Sequence, residues 1–163
     1  MKVYYYANIE HDYSRAMEYM RLLKDTNCQL SEVNKGIFTI SLYIASKQYN
    51  LAASEIKRLD VMTKTELQEF GLFYCKLTIA MMNNDGNEIQ QLLDKNEKIC
   101  QYAENHNYGK IVNGFRLLSV AYQQSEDNEL AQLVRSLNKD ASFFTKDISY
   151  SVILYTADWN RKI

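Results

Sequence analysis

No proline occurs anywhere in this chain of 163 residues, and apolar side chains recur at steps of three and four almost throughout. Proline breaks a helix from inside because it lacks the N–H and clashes with the preceding turn. At ordinary usage of about 5%, roughly eight would stand in a chain of this length. Glycine is scarce as well, with 5 residues, so a β-fold built on Gly/Pro-rich turns is disfavoured. The steps themselves are helical. Leu67, Phe70, Tyr74, Leu77 and Met81 lie on one face of a 3.6-residue period. Ile89, Leu92, Leu93, Ile99, Cys100 and Ala103 form a second face, and Ile111, Phe115, Leu118 and Tyr122 a third. Leu130, Val134 and Leu137 repeat the pattern, as do Ile148, Val152, Tyr155 and Trp159.

The interruptions carry start and stop chemistry. Asp12 and Ser31 are expected N-caps, and Thr63 with Glu66 reads as a capping box. Asn83-Asn84-Asp85-Gly86 and Asn107-Tyr108-Gly109 read as a helix stop followed by a turn. Tyr13-Ser14-Arg15-Ala16 is echoed by Tyr49-Asn50-Leu51-Ala52, and more weakly around Gln90 and Ala131. The spacing of about 36–41 residues marks a repeated helix pair. A pair of amphipathic helices cannot bury its apolar faces alone, so it stacks on the next pair. The expected fold is therefore all-α, a short solenoid of stacked antiparallel helix pairs with about nine helices. One domain over 1–163 is expected, with units near 1–28, 31–60, 64–106 and 109–139 and a terminal helix over 143–161.

Composition narrows the function classes. The net charge of −1 gives no general attraction to nucleic acid or to an anionic membrane. The basic residues alternate with acids, as on a solvated helix face. The most apolar stretch, Phe70 to Met82, is interrupted by Lys76 and is shorter than the roughly 18–20 residues a membrane span needs. The three cysteines, Cys28, Cys75 and Cys100, are an odd number, and residues 1–11 lack the uninterrupted apolar run of a signal peptide. These features lead to the expectation of a reducing, cytoplasmic setting. No P-loop, GxGxxG, GxSxG or HExxH motif is present, and His11 and His106 have no partner at metal-ligand spacing. The Asn83–Glu88 stretch lacks the oxygen ligands of a calcium loop, because Met81 and Leu92 occupy two of their positions. The expectation is a protein with no enzymatic activity, no cofactor and no metal.

Phe115, Leu118-Ser119, Tyr122 and Ala131 together resemble a divergent tetratricopeptide-type repeat. Tyr74, Leu77-Thr78 and Met81 match the first half of another unit, and Tyr43, Ala52 and Ile56 fit a third. The chain departs from that pattern at Gly36 and Ile40, at Asp94 and Arg135, and in having no closing proline. The resemblance implies a protein-interaction module that holds a peptide or partner helix in a concave groove lined by the first helix of each pair. Carried over position by position, it places Asn34, Ser41, Cys75, Ile79, Met82, Asn113, Arg116, Val120 and Gln123 on that face. Its middle is apolar, so an apolar or amphipathic ligand is expected rather than an acidic tail. A second expectation is a self-associating homodimer of structural or regulatory type. Tyrosine is the loudest compositional signal, at 13 residues, and suits interfaces because an apolar ring carries a polar tip. Tyr43, Tyr74 and Tyr122 are expected in the core. Tyr4, Tyr5 and Tyr6, with Phe144, Val152, Tyr155 and Trp159, form the expected oligomer edge, unless the last helix simply caps the stack. A third reading is a stand-alone sensor domain of a peptide-responsive regulatory system.

Overall fold

A left-handed residue stands in each of four helix connections: His11 (φ 53°), Lys47 (φ 60°), Asn84 (φ 55°) and Asn107 (φ 65°). The computed structural model describes residues 2–25 and 31–123. Among the described residues all regular structure is helical, and there are eight helices: α1 (Lys2–Asn8), α2 (Tyr13–Asp25), α3 (Glu32–Ala45), α4 (Tyr49–Asp60), α5 (Glu66–Met82), α6 (Gly86–Lys95), α7 (Glu97–Asn105) and α8 (Gly109–Gln123). The apolar face of Leu130, Val134 and Leu137 and the terminal helix expected over 143–161 lie outside the described residues, as does Cys28.

The connections from α3 to α4, from α5 to α6 and from α7 to α8 share one hydrogen-bond plan. The residue after the left-handed one donates to a carbonyl five residues back. Gln48 N reaches Tyr43 O at 2.7 Å, Asp85 N reaches Ala80 O at 2.9 Å, and Tyr108 N reaches Ala103 O at 2.8 Å. This closure satisfies carbonyls at the helix end and turns the chain back on itself. Asn tolerates the left-handed region well, whereas Lys47 adopts it at a steric cost of about 1 kcal/mol. Five residues beyond each left-handed position comes a wholly buried side chain: Ala16, Ala52, Ile89 and Val112. The first two coincide with the sequence echo. In the third turn the buried position is Ile89, one residue before Gln90.

Helix starts follow local chemistry. Ser31 Oγ accepts from Asn34 N at 3.2 Å, Asp85 Oδ1 from Glu88 N at 2.8 Å, and Asp12 Oδ1 from Arg15 N at 3.0 Å. The capping box of α5 is Thr65 with Gln68, two residues after the Thr63–Glu66 pair expected from sequence. The apolar face from Ile89 to Ala103 is also divided. Asn96 ends α6 and begins α7, and its Nδ2 donates to Leu92 O at 2.7 Å.

The described residues fall into two compact units, the first up to Met62 and the second from Thr63. In the first, α1 packs on α2, α2 on α3 and α3 on α4. Ala16, Met20 and Leu42 form a core covered by Tyr6, Met17 and Phe38. A Cβ at Gly36 would sit 2.7 Å from the Leu59 side chain, so the glycine lets α3 and α4 close. Tyr43 is half-buried there. In the second unit α5 packs on α6 and α7, and both of these pack on α8. Phe73, Leu77, Met81, Ile89 and Val112 are buried at its centre. Tyr74 and Tyr122 are buried too, and Tyr74 meets Phe115 edge-on with ring centroids 5.9 Å apart. Phe70 stacks on Tyr108 at 5.1 Å.

The junction of α6 with α8 positions the outer face of α8. A Cβ at Gly86 would lie 2.7 Å from the Ser119 carbonyl oxygen and 2.8 Å from Tyr122 Cβ, so only glycine allows this approach. The space is used by a hydrogen bond: Ser119 Oγ, fully buried, donates to Gly86 O at 2.9 Å. Gln123 Nε2 donates to the same carbonyl at 3.2 Å.

Candidate partner-binding surface

α8 has two unlike faces. Val112, Phe115, Ser119 and Tyr122, at steps of three and four, are buried. The opposite side presents Asn113, Arg116, Leu117, Val120 and Gln123 to solvent. Leu117 is 72% exposed and Val120 52%, and an apolar pair this open on an ordered helix is what marks the face. Arg116 Nη1 donates to Glu104 Oε1 at 3.2 Å and to Asn113 Oδ1 at 2.9 Å. An exposed ion pair of this kind adds little stability, at most about 1 kcal/mol. Its effect is to aim the guanidinium. Among the described residues Arg116 Nε and Nη2 donate to no group, which leaves one edge of the fork open toward them.

Four of the nine residues carried over from the resemblance, Asn113, Arg116, Val120 and Gln123, therefore stand together on one exposed face of α8. Cys75, Ile79 and Met82 share a side of α5, where Cys75 is buried and the other two are half-buried. Asn34 and Ser41 belong to the first unit. Asn34 is half-buried, and Ser41 is buried with its hydroxyl donating to Ile37 O at 3.1 Å. Leu117 is not among the nine positions that the resemblance places on the groove. Its signal is an apolar residue one step off the Phe115–Leu118–Tyr122 stripe, where a solvated face would carry a polar one.

At the start of the first unit, Tyr4 and Tyr5 are exposed, as are Ile9 and Leu22. Tyr6 is half-buried and stacks on Tyr19, with centroids 5.3 Å apart and planes 8° apart. Lys2 Nζ lies 4.9 Å over Tyr19, and Arg15 lies 5.6 Å over Tyr6, so a cation closes each end of the ring pair. Tyr5 donates its hydroxyl to Glu10 Oε1, and this bond to a carboxylate, together with its charge, raises the phenol pKa. The other residues of the expected edge, Phe144, Val152, Tyr155 and Trp159, lie outside the described residues.

Among the described residues, no three His, Cys, Asp or Glu side chains gather as metal ligands would. Cys100 is buried, and burial pushes its thiol pKa up, away from the thiolate a nucleophile needs. His106 stacks on Tyr102 with centroids 4.1 Å apart and places Nδ1 2.8 Å from Tyr102 O, at the end of α7. No helix among the described residues is long and apolar enough to cross a membrane. No protein-family model, no curated protein and no solved structure matches the chain.

Proposed function

We propose that this chain is a non-catalytic protein-interaction module that binds a peptide or helix of a partner protein, and that its helix pairs stack in the manner of a tetratricopeptide-like solenoid. The observation that carries the reading is the outer face of α8, where exposed Leu117 and Val120 lie beside an arginine held in place by Glu104 and Asn113. The recurring left-handed turn supports the helix-pair part, because it returns in every second connection from α1–α2 to α7–α8, with the same buried position in all four and the same closure in three. The buried thiols Cys75 and Cys100 suit a reducing, cytoplasmic setting. A sensor domain in a peptide-responsive system would use the same face.

The test is a photo-cross-linking residue placed at Val120, with the same residue at exposed Lys57 on α4 as the control. The reading expects a discrete product of one foreign protein from Val120 and none from Lys57. Equal, diffuse products from both positions would sink it. A second reading, a homodimer, is favoured by the exposed Tyr4, Tyr5, Ile9 and Leu22. Sedimentation over a concentration series decides it: a dimer that Tyr5→Glu dissociates supports self-association, and a monomer at every concentration removes it.

A further inference from the structure

The charge on α8 differs from that on the helices around it. In the second unit α5, α6 and α7 each carry both carboxylates and lysines, whereas α8 carries Lys110 and Arg116 and no carboxylate. Lys110 stands two turns before Leu117, and Arg116 one turn before Val120, so both cations flank the open apolar pair on its N-terminal side. Between them lies Gly114, where an added Cβ would meet nothing within 4 Å. Another backbone can come close at that point. Arg116 is also prepared for a planar anion. Glu104 and Asn113 hold it through Nη1, while its Nε and Nη2 donors, side by side, form the fork that takes a carboxylate bidentately.

We propose that the outer face of α8 takes an amphipathic helix of a partner protein whose apolar stripe is edged by carboxylates, one of them seated on the open fork of Arg116. This rests on the interaction reading above and names the ligand chemistry of that same surface. A second copy of the chain is a poor occupant through this helix, because α8 offers no carboxylate to another α8. The partner's leucines or valines cover Leu117 and Val120, its backbone approaches Gly114, and a second acid meets Lys110. Desolvation by the apolar contact makes each of these ion pairs stronger than it would be in water.

Two fluorescent peptides test the proposal against the full chain by anisotropy. Both carry the same leucines at helical spacing, one edged with glutamate and the other with lysine. The glutamate-edged peptide is expected to bind about tenfold or more tighter, the worth of one charge-assisted hydrogen-bonded pair, and to weaken as salt rises. Arg116→Gln is expected to remove most of that preference and Arg116→Glu to reverse it, while Leu117→Asp weakens both peptides. Circular dichroism checks each variant, and Lys110→Glu supplies an independent charge reversal should the Arg116 variants fail to fold. Equal affinity for the two peptides overturns the charge argument and leaves the interaction reading intact. The same holds if neither peptide binds while Val120 still cross-links a foreign protein. A Val120 cross-link to the chain's own residues or to a second copy overturns both.

Discussion

α5 and α8 belong to the same unit and read alike in sequence, yet they meet solvent in opposite ways. From Phe70 to Met81, α5 is buried almost all round, and only Lys76 and Ile79 in that run are half-buried. Thr78, deep in that helix, satisfies its hydroxyl by donating to Tyr74 O at 2.8 Å. α8 buries one stripe and leaves Leu117 and Val120 open. The same register that brings Asn113, Arg116 and Val120 to the surface therefore brings Cys75 to the interior. A position on a helix has an outer or an inner face only relative to the number of neighbours around that helix. Where a helix is packed on several sides, the position that would line a groove becomes core.

That contrast can be broken or sharpened by substitution, with stability read from urea unfolding followed by circular dichroism. The largest effect belongs to α5: Phe73→Ala removes a ring that is 2% exposed and should cost about 3–5 kcal/mol. Gly86→Ala comes next, at about 1–3 kcal/mol, because its Cβ would press on the Ser119 backbone, which cannot swing aside. Ser119→Ala should cost about 1 kcal/mol through loss of its buried bond to Gly86 O. Gly114→Ala should stabilise by about 0.4–1 kcal/mol, since its backbone is helical and nothing occupies the space. Leu117→Ala should fall within about 0.5 kcal/mol, as an exposed position does. A large loss at Leu117 would mean that α8 is covered in solution, and the two helices would then not differ.

Much of the helix layout is legible in the residues, because steps of three and four and short polar caps act locally. Ser31 and Asp12 cap where the sequence places them, while Asp85, within a stretch that reads as a stop and turn, also caps α6. The capping box of α5 shows the limit. Thr63-x-x-Glu66 and Thr65-x-x-Gln68 both fit the pattern, and the choice falls to where the helix itself begins, at Glu66. The break at Asn96 is likewise hidden. Leu92, Leu93, Ile99 and Cys100 continue one face across it, and Asn is a cap signal only once its side chain is seen to fold back on Leu92 O. For the candidate surface, Arg116 and Val120 could be placed by register, but the burial of Cys75 and Ser41 could not. Burial depends on the helices that pack on α3 within the first unit and on α5 within the second, which no local spacing encodes. Leu117 shows the reverse case, an apolar residue left outside when its helix turns another stripe inward.

The recurring left-handed turn also bears on how fast this chain finds its fold. Each such turn joins two consecutive helices, so those helices meet after a loop closure of only a few residues, and short closures cost little entropy. Folds assembled from such near-neighbour contacts lie at the low end of contact order, where refolding takes microseconds to milliseconds. The turn residues are His, Lys and Asn rather than proline, and the whole chain contains none. The isomerisation that slows many refolding proteins to tens of seconds has no bond here on which to act. Stopped-flow refolding should show no minor phase on that timescale, and adding a prolyl isomerase should change nothing.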